Sequence, residues 1–187
     1  MPIVIGAKPE SNFTDPIGLL TDCHRRIERF LSVLAQVAAQ ARGGTLSAEQ
    51  RVALDTALRY FREAAPKHTA DEESTLFPRL RLCDRPELQA AFARIDSLEQ
   101  DHVRANRGHE EVDRLGQTWL ESGSLPPPDA ERLSVVLAEL GELYREHIAV
   151  EERELFPAAS GVLAPADRAA IGAEMAARRG LTPGQKS

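Results

Sequence analysis

Residues 68–78 read HTADEESTLFP, and residues 147–157 read HIAVEERELFP. Seven of the eleven positions are identical, and the two stretches are 147 − 68 = 79 residues apart. In each copy a glutamate follows the histidine by four positions, which places both side chains on one side of a helix with Cβ atoms ~5–6 Å apart. The repeat therefore predicts two helices that carry the same His–Glu pair, in a chain built from two similar halves.

The pattern around the repeat is helical. Ala, Leu, Glu and Arg dominate, and runs of β-branched residues are absent. Start and stop signals predict four long helices and a short fifth one, over about 15–42, 47–82, 86–122, 129–157 and 165–179. Pro66 is expected to kink or break the second helix. Short connections make neighbouring helices antiparallel, so we predict an all-α, up-down-up-down four-helix bundle over about 14–157, within one domain spanning 1–187.

Composition excludes several classes of protein. The 187 residues carry a net charge of −6 without a basic patch, which argues against nucleic acid as a partner. No apolar run approaches the ~20 residues of a membrane span, and the first sixteen residues lack the features of a signal peptide. Two cysteines, Cys23 and Cys83, are too few for a disulfide framework. We therefore expect a soluble cytoplasmic protein with reduced thiols.

The histidines are distributed regularly. Four of the five fall one per long helix, at His24, His68, His102 and His147, and the spacing within each half is 44 or 45 residues. Counting from the predicted helix ends at ~1.5 Å per residue, three of them lie at a common height of roughly 15 Å. His102 reaches that height only if the third helix begins late. This placement predicts one layer of inward-facing imidazoles.

The acids of the repeat indicate what this layer holds. Glu72 and Glu151 share the faces of their histidines, whereas Glu73 and Glu152 lie ~100° further round and need not point inward. Two ionised carboxylates facing each other in an apolar interior are very costly unless cations lie between them. Imidazole and carboxylate donors without thiolate suit iron or manganese, and zinc stays open as an alternative.

Several further residues lie near this layer in the sequence pattern. His109 lies seven positions after His102, ~10 Å further along the helix, and is interpreted as a surface or outer-layer residue. Tyr144 either packs in the core or donates a hydrogen bond to a metal-bound species. Cys23 is expected to be a packed thiol. Arg178 and Arg179 are expected to form a solvated helix end. The Leu-Phe-Pro of each repeat is expected to pack the bundle end beneath the site, with the proline ending the helix.

These motifs resemble the hemerythrin-like family, whose HHE cation-binding domain is a four-helix bundle around a non-haem di-iron centre. The resemblance covers about residues 14–157 and implies two terminal histidines per iron, with Glu72 and Glu151 bridging both metals. The implied metal ligands are His24, His68, Glu72, His102, His147 and Glu151.

This chain differs from the oxygen carriers of the family it resembles at two positions. The carriers have a further histidine where this chain has Asn106, and their last carboxylate follows its histidine by five positions, whereas Glu151 follows by four. The chain thus looks like a bacterial four-His, two-Glu subset with more open coordination positions.

Three functions follow as hypotheses. The first is a di-iron protein that binds or senses iron, O₂ or a related small reactive molecule. The second is a di-iron oxidoreductase that removes peroxide or nitric oxide. The third is a purely structural metal site, possibly zinc. The sequence leaves the oligomeric state open.

Overall fold

Four helical rods and a C-terminal helix make up the fold. The computed structural model describes residues 11–181 apart from the side chain of Glu87, so the first ten residues, on which much of the signal-peptide expectation rests, lie outside it. The first rod is α1 (Pro16–Ala41). The second contains α2 (Ala48–Glu63), α3 (Ala65–Asp71), a π-helical turn (Glu72–Leu76) and α4 (Phe77–Arg81). The third is α6 (Ile95–Ser122), preceded by a 3₁₀ turn (Pro86–Leu88) and α5 (Gln89–Phe92). The fourth contains α7 (Pro127–Val150), a second π-helical turn (Glu151–Leu155) and α8 (Phe156–Val162), and α9 (Pro165–Arg178) follows.

Packing between the rods confirms the predicted bundle. Helix α1 contacts α2 and α7, and α6 contacts the same two helices, so each rod touches its neighbours in a closed square. Helix α9 lies outside the square, against α1 and α3. Within residues 11–181 no strand is present, and no helix is both long and apolar enough to cross a membrane.

The first two rods begin where the sequence places their caps, whereas α6 begins later than the predicted start at 86 and α7 begins two residues before Asp129. The Asp15 carboxylate accepts a hydrogen bond from the Gly18 N–H, and Ser47 and Gln50 form a complete capping box at the start of α2. The break between α2 and α3 at Ala64 confirms the expected effect of Pro66. Helix α6 begins only at Ile95, so His102 lies seven residues inside it, as the common height required.

The expectation that the repeat prolines end their helices is wrong. The fourth rod continues past Pro157 to Val162, and Pro78 lies inside α4. In both rods the residue before the proline donates its N–H five residues back, from Phe77 to the Glu72 carbonyl and from Phe156 to the Glu151 carbonyl. A helical proline clashes with the carbonyl four residues earlier. We attribute its tolerance here to the wider π turn, which shifts the carbonyls that precede it.

The apolar core is divided in two along the bundle. The upper cluster lies toward the α1–α2 connection and contains, among others, Ile27, Leu58, Leu115, Trp119 and Leu140. The lower cluster lies at the other end and is capped by α9, and it contains Leu20, Leu98, Ile171 and the Leu-Phe pairs of both repeats, Leu76, Phe77, Leu155 and Phe156. The repeat thus packs the bundle end as expected.

Candidate metal centre

A layer of polar side chains separates the two apolar clusters. Its six members are buried and come from the four rods, and we call them the polar layer: His24, His68, Glu72, His102, His147 and Glu151. His24, Glu72 and Glu151 have no exposed surface, and His102 is the most exposed of the six at 8%. The structure therefore brings all six sequence-predicted site residues together.

The polar layer divides into two groups of four potential metal donors. The first group is His24, His68, Glu72 and Glu151, and the second group is Glu72, His102, His147 and Glu151. Within each group one donor atom per residue lies within 4.8 Å of the others. Both carboxylates belong to both groups.

Each carboxylate directs one oxygen to each group. Glu72 Oε1 lies 3.4 Å from His68 Nε2, and Glu72 Oε2 lies 3.3 Å from His102 Nε2. In the same way Glu151 Oε2 lies 2.9 Å from His24 Nε2, and Glu151 Oε1 lies 3.3 Å from His147 Nε2. Two carboxylates that each face two sets of imidazole nitrogens have the geometry of bridging ligands.

The hydrogen bonding of the polar layer fits a pair of cations. All four carboxylate oxygens and Nε2 of His24, His102 and His147 are buried without a hydrogen bond of normal geometry, although Glu151 Oε2 and His24 Nε2 are only 2.9 Å apart. Native proteins rarely leave buried polar atoms unsatisfied. Seven such atoms that converge on two points are the donor set that two metal ions would complete.

The electrostatics of the two carboxylates lead to the same conclusion. Burial and the neighbouring charge of Glu151 raise the pKa of Glu72 well above its usual range. Burial also acts to raise the pKa of Glu151, but His147 and His24 outweigh it and hold that pKa below its usual value. Without cations the layer must take up protons to limit its negative charge, and cations would replace those protons.

Comparison with known proteins agrees with this geometry. The sequence profile of the hemerythrin HHE cation-binding domain matches residues 15–159. The chain belongs to the hemerythrin HHE family. It is also 31% identical over 172 residues to an uncharacterized protein of Haemophilus influenzae, an alignment that covers 90% of this chain and 92% of that protein.

Two acids of this HHE domain that the sequence did not assign to the centre hold its histidines in place. Glu152 Oε1 accepts a hydrogen bond from Nδ1 of His24 at 2.9 Å, and Glu73 Oε1 accepts one from Nδ1 of His102 at the same distance. With Nδ1 protonated, Nε2 keeps its lone pair for a metal. The double Glu-Glu of each repeat was the signal: the first acid points inward, and the second reaches a histidine on a neighbouring rod.

Helix α9, which follows the residues that match the HHE domain, contacts the rod that carries His68. Arg178 and Arg179 were expected to be a solvated helix end, and this expectation is wrong. Both guanidinium groups donate to the fully buried carboxylate of Asp71, with Arg179 Nη2 2.6 Å from Oδ2. Arg178 also donates to the Thr75 hydroxyl at 3.1 Å. Pairing with this buried carboxylate explains why both arginine side chains lie against the bundle rather than in solvent.

The remaining candidates lie beside the polar layer. His109 is outside both donor groups, and its Nε2 lies 3.0 Å from the Tyr144 hydroxyl. The Tyr144 ring lies 6.4 Å from the ring of His147. Cys23 is buried with a free thiol, as expected, and Cys83 is also free. Burial raises the pKa of the Cys23 thiol, which keeps it unreactive at neutral pH.

Proposed function

We propose that this HHE protein binds two iron ions and uses them to bind or sense O₂ or a related small reactive molecule. His24 and His68 would be terminal ligands of one iron, and His102 and His147 those of the other. Glu72 and Glu151 would bridge the two ions. The observation that carries the proposal is the split of each carboxylate between the two donor groups.

The residues of the chain have separate tasks in this proposal. Glu152 and Glu73 hold the Nδ1 protons of His24 and His102, so that Nε2 of each ring faces the centre. The two bridging acids offset the charge of the cations inside an apolar bundle. The Leu-Phe pairs of the lower cluster exclude water from one side. Bound iron would supply redox chemistry and open coordination positions.

Two features favour iron over a structural zinc site. The donors are nitrogen and oxygen, and neither donor group contains a thiolate. A structural zinc site is closed by protein ligands. Here a cavity of about 450 Å³ reaches His102, which gives an added ligand room to enter.

Anaerobic reconstitution with Fe(II), followed by metal analysis and spectroscopy, tests the proposal. We expect two irons per chain and near-UV bands that change on adding O₂ or azide. Glu72→Ala and His147→Ala should each lower the iron content, whereas the matched control Glu154→Ala, which removes a surface acid paired with Arg94, should not. Full iron content in both site variants would overturn the assignment.

An oxidoreductase is the second candidate, favoured by the Tyr144 hydroxyl one helical turn before His147. Reduction of peroxide or nitric oxide consumes electrons and protons, which an added electron donor and the solvent would supply. The Tyr144 hydroxyl, whose pKa is raised by burial, would hold the bound molecule by a hydrogen bond. With an added electron donor, loss of many equivalents of either molecule per iron centre, abolished in Glu72→Ala, would assign an enzyme. Stoichiometric binding without turnover would assign a sensor or binding protein.

A further inference from the structure

The two donor groups are near copies of each other, but their surroundings differ. The cavity of about 450 Å³ is lined by His102 of the second group together with Tyr144, His109, Phe61, Thr69 and Asn106. A water molecule takes up about 30 Å³, so this space admits a diatomic or triatomic ligand with several waters. His102 is also the most exposed member of the polar layer.

The side chain of Asn106 does not occupy the part of this cavity next to His102. It lies one helical turn after His102, where a long side chain would reach toward the second group. Instead its side chain is exposed and donates to Glu110 Oε1 at 2.8 Å. The Asn106 side chain therefore does not fill the space next to His102.

His109 and Tyr144 place a hydrogen-bond donor at the cavity. Burial lowers the pKa of His109 to about 4, so the ring is neutral at pH 7 and carries one proton. Its Nδ1 is buried without a partner, and an orphaned buried N–H is costly, which favours the proton on Nε2. Nε2–H then donates to the Tyr144 oxygen. The Tyr144 O–H is left free to donate to a molecule in the cavity.

The first group lacks this arrangement. His24 matches His102 at an offset of 78 residues, and His68 matches His147 at 79. By the same offsets the positions that correspond to His109 and Tyr144 are Leu31 and Ala65, and both are buried and apolar. The two halves thus share the metal donors, but the pair formed by His109 and Tyr144 has no polar counterpart at the matching positions of the first half.

From these observations we propose that the external ligand binds on the side of the second group, His102 and His147, and reaches it through this cavity. The Tyr144 hydroxyl, oriented by His109, donates a hydrogen bond to that ligand. The ligand class is a small anion or diatomic molecule that accepts a hydrogen bond. This inference rests on the proposed dinuclear iron centre and adds which of its two sides is open.

Azide binding to the oxidised, iron-loaded full-length protein tests the donor. We expect Tyr144→Phe to raise the dissociation constant for azide about tenfold through loss of a hydrogen bond to a charged ligand. His109→Phe should weaken binding less, because it removes only the orienting partner. The matched control is Tyr60→Phe, a tyrosine that stacks on Phe30 with ring centroids 4.3 Å apart and does not line the cavity.

Stopped-flow mixing with azide tests the route. Val103 is 53% exposed and lines the cavity, so Val103→Trp should narrow its mouth without disturbing the fold and slow association on the order of tenfold. Val52→Trp, at a valine that is 61% exposed on α2, is the control and should leave the rate unchanged.

The outcomes separate this inference from the proposed function. Unchanged azide affinity in Tyr144→Phe together with an unchanged rate in Val103→Trp, at two irons per chain, would overturn the inference and leave the dinuclear centre standing. A wild-type protein that holds no iron after reconstitution would overturn both.

Discussion

Each imidazole of the polar layer has two nitrogens, and the residues behind the ring decide which one is free. For His24 and His102 a carboxylate fixes the proton on Nδ1. His147 has only the more distant Asp101, whose Oδ2 lies 3.6 Å from Nδ1. The rings of the centre are therefore held unequally, with one firmly oriented histidine in each donor group.

Replacing Glu152 by glutamine should weaken metal binding. The amide is a poorer acceptor for the Nδ1–H of His24, so the ring loses its fixed tautomer, and metal affinity should fall by roughly 10–100-fold. Competition with a coloured chelator measures the change. Glu154→Gln is the control, because Glu154 pairs with Arg94 at the surface and not with a histidine of the polar layer. Equal affinity in the two variants would show that the hydrogen bond does not matter.

His109 should make the metal-free protein less stable in weak acid. Its pKa is about 4 in the folded chain and about 6.5 when unfolded, so the unfolded state binds a proton first as the pH falls. The contribution of the neutral His109 ring to the unfolding free energy is fully present above pH ~6.5 and is lost as the pH falls toward 4. About 2 kcal/mol is lost between pH 7.5 and 5.

Urea unfolding at several pH values measures this loss. The difference between wild type and His109→Gln isolates the histidine from the other titrating groups. Parallel stability curves for the two proteins would contradict the assignment of a buried neutral ring.

At the scale of helices, each inward-facing acid lies at the start of a π turn. Glu72 and Glu151 each occupy the first residue of a π turn, and the proline that follows lies in a new α-helical segment. Functional sites often lie at such turns, because the wider turn redirects side chains without ending the helix. Helix α9 contacts the first of these turns through Arg178 and Thr75.

Removing both arginines should loosen this part of the bundle. In the double variant Arg178→Ala, Arg179→Ala the buried carboxylate of Asp71 loses the two guanidinium groups that pair with it, which should cost about 3 kcal/mol of unfolding free energy. Denaturant unfolding of the metal-free protein measures it. Arg145→Ala, which breaks a surface pair with Glu142, should change stability by less than about 0.5 kcal/mol. A similarly small effect in the double variant would contradict a stabilising role for the pairing of Asp71 with the two arginines.

At the scale of the whole molecule, the polar layer lies between two apolar clusters. Each rod passes from the upper to the lower cluster through the layer, as α1 does from Ile27 to Leu20 with His24 between them. The metal-free layer therefore weakens the middle of the bundle, where buried polar and ionisable groups interrupt the apolar packing.

Metal loading should stabilise the wild type and reverse the order of stability between wild type and Glu72→Gln. At a free metal concentration a thousand times the dissociation constant, binding adds about 4 kcal/mol to the unfolding free energy. Glu72→Gln should be at least as stable as wild type without metal, because the raised pKa of the buried Glu72 carboxyl costs stability at neutral pH and a neutral amide does not, and less stable once metal is added. Calorimetry with and without chelator tests both statements. A Glu72→Gln protein that gains as much from metal as wild type would exclude Glu72 as a ligand.

Much of this architecture was predictable because it depends on local spacing. The His–Glu pairs, the bundle and the six residues of the polar layer follow from helical periodicity and the repeat. The contacts of Glu73, Glu152 and Arg178 were not predictable, since each depends on a distant segment that packs alongside. The π turns were missed because a proline after a helical pattern normally marks an end, and only the hydrogen bonds to Glu72 and Glu151 show otherwise.

Trp119, the single tryptophan of the sequence, belongs to the upper cluster, with its indole N–H donated to the Gly44 carbonyl at 2.8 Å. It lies 119 − 102 = 17 residues beyond His102 on α6, or ~25 Å along the helix axis. Its emission therefore reports melting of one end of the bundle, while the absorbance of a loaded centre reports the middle. Both optical signals can be recorded on one sample during heating. They establish whether the ions dissociate before the rods separate or at the same temperature.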